Sequence, residues 1–156
     1  MAADQLYKIK DGRYMKILVI DAQGGGLGRQ IITSVRKDFP DVDIMAVGTN
    51  TAATAAMLKA GADQAATGEN SVITACRKAD IIIGPIGIVI ADAMLGEITP
   101  AMARAVAQSP AMRIFIPFSN CDNYIAGVGD FSTGRLIADA LSYLKKTIAE
   151  GSETSC

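Results

Sequence analysis

The 156-residue chain contains no histidine and no tryptophan. The absence of histidine excludes Ser-His-Asp and Cys-His catalytic pairs, histidine metal ligands, and the side chain best suited to proton transfer near neutral pH. Acid–base chemistry would therefore depend on carboxylates, lysine, tyrosine, cysteine or the ligand itself. Aromatic residues make up only 5% of the chain, so platforms for stacking nucleic-acid bases are not expected.

An excess of one charge and long apolar runs are also missing. The chain has 15 Lys and Arg against 16 Asp and Glu, without the basic surplus that nucleic acids or anionic membranes attract. The longest uncharged apolar run, 81–91, is too short to span a bilayer and is interrupted by two glycines and a proline. We therefore expect neither a nucleic-acid partner nor a membrane partner.

The chain has three cysteines, Cys76, Cys121 and Cys156, which share no motif spacing. Their odd number and the lack of a signal peptide indicate free thiols in a reducing compartment, so we expect a cytoplasmic location. With no histidine and no paired cysteines, no metal site is predicted.

Apolar runs of strand length alternate with amphipathic segments of helical period. Strands are predicted at 16–21, 43–47, 64–66, 80–84 and 113–117, and helices from the glycines after the first strand to about 39, at 51–60, at 70–78, from 99 onward and at 132–149. This alternation predicts a single three-layer α/β domain over 15–150, with a five-stranded, mostly parallel sheet in the Rossmann-like order 3-2-1-4-5. Residues 1–14 are expected to form a flexible arm, or to result from an over-extended start before Met15, and 151–156 a flexible tail.

The segment after the first predicted strand carries the strongest functional signal. Gly24, Gly25, Gly26 and Gly28 follow this strand, and Leu27 begins an apolar pattern with helical spacing. A glycine turn between a strand and a helix presents peptide N–H groups and the positive end of the helix to an anion, usually a phosphate. We therefore predict a nucleotide or dinucleotide site here, with a tight structural turn as the alternative.

The glycine spacing is not the G-x-G-x-x-G fingerprint, because Arg29 stands where the third glycine would follow Gly24 and Gly26. It is not a Walker A loop either, since no Lys-Ser or Lys-Thr follows. The run 26–28 resembles the end of the T-G-x-x-x-G-x-G loop of short-chain dehydrogenases, but the catalytic Tyr-x-x-x-Lys pair of that family is absent. Hydride transfer by that mechanism is therefore unsupported. Arg29 is predicted either to neutralise a bound phosphate or to be solvated.

The end of the second predicted strand bears on the choice of dinucleotide. NAD-binding domains usually place an Asp or Glu there, bonded to the ribose 2′-hydroxyl. This chain has Thr49 and Asn50 instead, and neither an acid nor an arginine. Both side chains could bind a ribose or a 2′-phosphate, or could cap the helix that follows. We therefore predict NAD or NADP as cofactor, with NADP bound no worse than NAD, and leave other nucleotides open.

Polar loops follow the other strands at the same predicted edge of the sheet. Thr67 and Glu69 come after the third strand, Gly84 ends the fourth, and Asn120 and Cys121 follow the fifth. Because parallel sheets bind ligands at the carboxyl ends of their strands, these residues are predicted to line the ligand pocket. The alternative for the third-strand loop is a glycine turn with a helix cap. Cys121 has no histidine partner and is predicted to be an inert pocket thiol, not a nucleophile.

The apolar segment after the fourth predicted strand suggests an interface. Its large apolar residues are Ile86, Ile88, Val89, Ile90, Met94 and Leu95. They offer more apolar surface than one short helix needs for its inner face, which predicts a homodimer or a larger assembly. The alternative is a buried core element. Asp92, in the same segment, would be costly to bury unpaired and is expected either at the surface or at a functional position.

Most of the chain, from 15 to about 149, resembles a family of short bacterial proteins known only as a domain of unknown function. The segments that carry the resemblance are MKILVIDAQGGGLGRQ, AVGTNTAATAAMLKAGADQAATGEN, CRKADIIIGPIGIVIADAMLGEITPAM and SNCDN. The family pattern has glycine at position 22, where this chain has Ala22, a change that narrows the conformational freedom of the turn. The resemblance implies a Rossmann-like fold and carries over no activity.

The sequence therefore predicts an uncharacterised nucleotide-binding protein and leaves its class open. A non-catalytic ligand sensor is favoured slightly by the absence of histidine, of Tyr-x-x-x-Lys and of a separate substrate domain. An NAD(P)-dependent oxidoreductase or another nucleotide-dependent enzyme is favoured slightly by the several polar loops at one edge. The third alternative is a structural protein whose glycines only shape a turn.

Overall fold

The computed structural model describes residues 12–117 and 123–150. The strands are β1 (Lys16–Asp21), β2 (Asp43–Gly48), β3 (Gln64–Thr67), β4 (Ile81–Pro85) and β5 (Met112–Ile116). The α-helices are α1 (Gly26–Asp38), α2 (Thr51–Lys59), α3 (Glu69–Cys76), α4 (Pro100–Gln108) and α5 (Thr133–Glu150). A short 3₁₀ helix, Ile86–Val89, follows β4 directly.

The five strands form one parallel sheet in the order β3-β2-β1-β4-β5. This confirms the predicted single Rossmann-like α/β fold and its strand order. β1 pairs with β4 in the middle of the sheet, with Ile17 opposite Ile81 and Val19 opposite Ile83. The chain winds away from this pair in opposite directions, so a crevice is expected where the carboxyl ends of β1 and β4 meet.

Side chains of β1 alternate between two hydrophobic cores, as the period of a strand requires. Ile17 and Val19 pack with α1 and α5 on one face of the sheet. Leu18 and Ile20 pack with α3 and α4 on the other face. All four side chains are buried, so the sheet is a rigid support for the loops at its edge.

Two helices begin with side-chain caps. The side chain of Asn50 accepts the N–H of Ala53 at 2.9 Å at the start of α2. Thr99 accepts the N–H of Met102 at 3.2 Å, and Pro100 is the first residue of α4. Each cap satisfies one of the N–H groups that a helix leaves unpaired at its start.

The apolar segment after β4 is mostly covered by the chain itself. Ile88 is fully buried, and Val89 and Met94 pack against the core on the α3 and α4 face. Leu95, by contrast, is 97% exposed. The core alternative therefore accounts for much of this segment, and the homodimer stays a prediction that depends on Leu95. In the described part of the chain, none of the helices has the length and apolar character to cross a membrane.

Candidate functional site

The glycine loop, residues 21–28, runs from the last residue of β1 into the first turn of α1. Gly25 has a φ of +72°, which residues with side chains rarely adopt, and a Cβ there would lie 2.7 Å from the Cα of Ala53. A Cβ on Gly28 would lie 2.5 Å from the Sδ of Met57. The packing of the chain itself therefore requires glycine at positions 25 and 28.

Gly24 and Gly26 differ from these two glycines. Neither has a positive φ, and within the described residues a Cβ on either would meet no atom within 4 Å. Ala22 also has no positive φ, so its backbone is accommodated without strain. The fold does not explain glycine at 24 and 26, but the close approach of a ligand would.

A cleft of about 720 Å³ lies beside the open glycines. One wall is formed by 21–27, and the other by Pro85, Gly87 and the first part of the rim loop, which we define as residues 90–98. Asn123 also contributes to the lining. The cleft is within the size range of small-molecule sites and lies where the ends of β1 and β4 meet, which is where open α/β sheets bind ligands.

Asp21, the last residue of β1, holds the glycine loop from inside. Its carboxylate is only 5% exposed and accepts the N–H of Ala22 at 2.8 Å and of Gly28 at 2.7 Å. Burial raises the pKa of Asp21 above its usual range, against the two amide hydrogen bonds, which lower it; the negative charge of Glu97 raises it further. Both oxygens of Asp21 are thus engaged in shaping the loop.

Three N–H groups of the glycine loop have no such partner. Among residues 12–117 and 123–150, the amides of Gly24, Gly26 and Leu27 have no hydrogen-bond acceptor. All three residues line the cleft. Gly26 and Leu27 are the first two residues of α1, where unpaired N–H groups and the positive end of the helix dipole meet. This is the arrangement that phosphate groups bind in other strand–turn–helix units.

Glu97, in the rim loop, was not predicted from the sequence. Its Oε2 atom accepts the N–H of Gln23 at 2.8 Å, the hydroxyl of Thr49 at 2.5 Å and the amide Nδ2 of Asn50 at 3.0 Å. Burial by itself would raise the pKa of Glu97, but these three hydrogen bonds outweigh burial and place the pKa below its usual value. The carboxylate therefore stays ionised at neutral pH.

The position of Glu97 corrects one premise of the sequence analysis. No acid follows β2 in the chain, but a carboxylate from a distant loop lies against the end of β2 in the fold. The expectation that NADP is bound no worse than NAD was founded on the absence of such a group, and that premise is wrong. The one residue type near Glu97 in the sequence that indicates a turn is Gly96. Asp92, Met94 and Leu95 have positive φ values that their residue types do not predict.

The structure brings part of the predicted site together. Gly24, Gly25, Gly26 and Leu27 line the cleft. Gly28 supports it through Asp21, and Thr49 and Asn50 lie next to it, bound to Glu97. Arg29 does not face the cleft. It is exposed and lines a groove between α1 and α5, where it has no contact with the loop's free amides.

Three other predicted pocket residues, Thr67, Glu69 and Gly84, do not line the cleft. The hydroxyl of Thr67 is 2.7 Å from that of Thr54, and Glu69 accepts a hydrogen bond from Thr99. Gly84 is buried, and a Cβ there would lie 2.6 Å from the carbonyl oxygen of Ile20, so its glycine serves strand packing. Asn120 and Cys121 lie outside the described residues.

The cleft has little positive charge of its own. Its described lining contains Asp21 and Asp92 and neither lysine nor arginine. Within the described residues, no group of three or more histidine, cysteine, aspartate or glutamate side chains could hold a metal ion. Peptide amides and the dipole of α1 are therefore the groups on which an anion would depend.

The strand order, the glycine loop and the cleft together define a small Rossmann-like α/β protein. The chain belongs to the family described as Domain of unknown function (DUF3842), which matches residues 16–149. This confirms the resemblance read from the sequence. A comparison with curated proteins finds no match.

Two solved structures are similar in fold alone. One is saccharopine dehydrogenase (L-Glu forming) from Saccharomyces cerevisiae, 13% identical with a TM-score of 0.44 over 72% of this chain and 22% of that protein. This chain therefore spans about a fifth of the length of the dehydrogenase. The other is a dodecameric FMN-dependent UbiX-like decarboxylase from Escherichia coli O157:H7, 16% identical with a TM-score of 0.41 over 85% of this chain and 75% of that one.

Proposed function

We propose that this protein binds a nucleotide or dinucleotide, with a phosphate group on the glycine loop at the start of α1. The observation that carries the proposal is a set of three amides, those of Gly24, Gly26 and Leu27, that have no acceptor among the described residues and lie in a cleft of about 720 Å³. Two of these residues are glycines that the fold itself does not require. A phosphate would use both the free donors and the open space.

The charges around the cleft favour a phosphate group that carries little negative charge. Asp21 and Glu97 are both bound to the glycine loop, and each repels an incoming anion. The dipole of α1 contributes about 0.3–1 kcal/mol toward an anion at its start. This balance favours a pyrophosphate, with one negative charge per phosphorus, over a terminal phosphate with two charges. Dinucleotides such as NAD, whose phosphates form such a bridge, fit the site best.

Binding without catalysis is the form of the proposal that the described residues support. Among the described residues, the ionisable side chains that line the cleft are Asp21 and Asp92, and both oxygens of Asp21 already accept amide hydrogen bonds. We therefore favour the proposal that the protein is a non-catalytic ligand sensor over the proposal that it is an oxidoreductase. Turnover of bound NADH or NADPH with added carbonyl substrates would shift the preference to the enzyme.

A thermal-shift screen with NAD, NADP, FAD, ATP, GTP and coenzyme A tests binding. A ligand at one hundred times its dissociation constant should stabilise the protein by about 2.7 kcal/mol. The Gly26→Val variant should fold normally and lose most of this shift, since its side chain would occupy the open space beside the free amides.

Gly134→Val is the matched control for Gly26→Val. Gly134 is also an open glycine near the start of a helix, α5, and it lies outside the cleft. Its variant should keep the full ligand shift. Equal shifts in both variants, or no shift with any of the six ligands on the unaltered protein, would contradict the proposal.

A further inference from the structure

We propose that Glu97 selects the ribose at this site. Its carboxylate would accept hydrogen bonds from an unmodified 2′,3′-diol and exclude a ribose 2′-phosphate, so that the site takes NAD-type and not NADP-type nucleotides. This inference rests on the proposed nucleotide-binding function and adds the class of nucleotide to it.

The carboxylate of Glu97 lies between the glycine loop and the end of β2. Oε2 of Glu97 is bound on one side to Gln23 of the glycine loop and on the other to Thr49 and Asn50 at the end of β2. In dinucleotide-binding folds the ribose lies between these same two places, and an acid from the end of the second strand bonds its 2′-hydroxyl. Here the acid reaches that place from the loop after β4.

The hydrogen bonds that Asn50, Thr49 and Glu97 already make determine which ligand groups they can still bind. Asn50 is fully committed, because its Oδ1 caps α2 and its Nδ2 donates to the carbonyl of Gln23 at 2.9 Å and to Glu97. Thr49 gives its one hydroxyl proton to Glu97. Neither side chain has a donor left for a phosphate. The Oε1 atom of Glu97, by contrast, has no hydrogen bond to any described residue, and it is an acceptor that matches the two donors of a ribose diol.

The rim loop fixes this carboxylate in place. The N–H of Asp92 donates to the carbonyl of Ile98 at 2.8 Å, and the N–H of Gly96 donates to the backbone carbonyl of Asp92 at 3.1 Å. Ile98, directly after Glu97, is fully buried. The backbone on both sides of Glu97 is therefore anchored, and its charge cannot move far from an incoming phosphate. No described lysine or arginine pairs with Glu97 to neutralise that charge.

Calorimetric titration of the full chain with NAD and with NADP tests the proposal. The unaltered protein should bind NAD at least tenfold more tightly than NADP. Glu97→Gln, which removes the charge and keeps the shape, should reduce this ratio below about threefold. Glu69→Gln is the matched control, because Glu69 also accepts a hydrogen bond from a threonine, but that threonine is Thr99 at the start of α4 and not a residue of the glycine loop or of the end of β2. Its variant should keep the ratio of the unaltered protein.

The outcomes separate this inference from the proposed function. Equal affinities for NAD and NADP in the unaltered protein would overturn selection by Glu97 and leave nucleotide binding intact. An unchanged ratio in Glu97→Gln would do the same. Tighter NAD binding by Glu97→Ala would show that the carboxylate blocks the ribose instead of binding it, and would also overturn the inference. Failure of both dinucleotides to bind the unaltered protein would overturn selection by Glu97, whereas the proposed function would be overturned only if none of the six ligands of the thermal-shift screen bound.

Discussion

Two carboxylates accept hydrogen bonds from amides of the glycine loop, and they have different roles. Asp21 belongs to the loop and is almost completely buried. Its two carboxylate oxygens accept hydrogen bonds from amides one and seven residues further along the chain. Glu97 comes from the rim loop, is partly exposed and joins two segments that are 74 and 48 residues distant in the chain. The first shapes the fold locally, whereas the second completes a site in space.

The largest effect on stability is expected within the glycine loop, for Gly28→Val. The new side chain would lie on Met57 and on the Cβ of Asp21, whose carboxylate accepts the Gly28 amide. Overpacking of this kind costs about 1–3 kcal/mol. Urea denaturation should show this loss, while Gly26→Val should remain within about 1 kcal/mol of the unaltered protein. A Gly28→Val variant of full stability would mean that α1 and β1 are not in close contact.

Asp21→Asn should be the next most costly change. An amide has one acceptor oxygen for the two N–H groups that Asp21 binds, so one of them would lose its partner, at about 1–3 kcal/mol. Because the pKa of Asp21 is raised in the folded protein, the unfolded chain releases this proton first as pH rises above 3.8. The stability advantage of the unaltered protein over the variant should therefore shrink with rising pH. Urea midpoints measured from pH 4 to pH 7 would check this slope.

Glu97→Gln should show the opposite pH dependence with a smaller effect. The pKa of Glu97 is lowered in the folded protein, so its contribution is complete above the usual value of 4.5 and is lost as pH falls through the folded pKa. At pH 7 the variant should lose about 1 kcal/mol, the scale of a hydrogen-bonded group at a partly exposed site. As pH falls below 4.5 and through the folded pKa of Glu97, the two proteins should converge. A constant difference across this range would mean that Glu97 does not bind Gln23, Thr49 and Asn50 as an ionised group.

Leu95→Ser should have the smallest effect. Leu95 is 97% exposed, so its replacement should change the free energy of unfolding by less than about 0.5 kcal/mol at low protein concentration. Light scattering of both proteins at micromolar concentration completes the comparison. A dimer that dissociates in the variant would support the homodimer predicted from the sequence, whereas two monomers would remove that prediction.

The sequence predicted the fold well because its signals are local. The strand 16–21 was predicted with its observed bounds, since a continuous apolar run ends at Asp21, and β2 and β3 each extend only one residue further than predicted. Gly25 and Gly28 stood next to a helical pattern and were recognised as a turn. Each of these predictions depends on residues that are neighbours in the chain.

The candidate site was predicted only in part, because its second wall is built from tertiary contacts. The positive φ values of Asp92, Met94 and Leu95 turn the rim loop back toward β2, and no residue type at these positions signals that turn. Glu97 lies near its partners only because β1, β2 and β4 are neighbours in one sheet. Arg29 illustrates the converse, since it adjoins the glycines in sequence but emerges on the opposite side of α1, toward α5.

Two-dimensional amide NMR of the ¹⁵N-labelled protein titrated with NAD tests the central claim most directly. We expect the amide signals of Gly24, Gly26 and Leu27 to shift most, because no described residue accepts a hydrogen bond from their N–H groups. The Gly28 signal should shift less, since Asp21 holds that N–H, and Gly134 should not move. Saturable NAD binding that leaves the signals of Gly24, Gly26 and Leu27 in place would contradict the account.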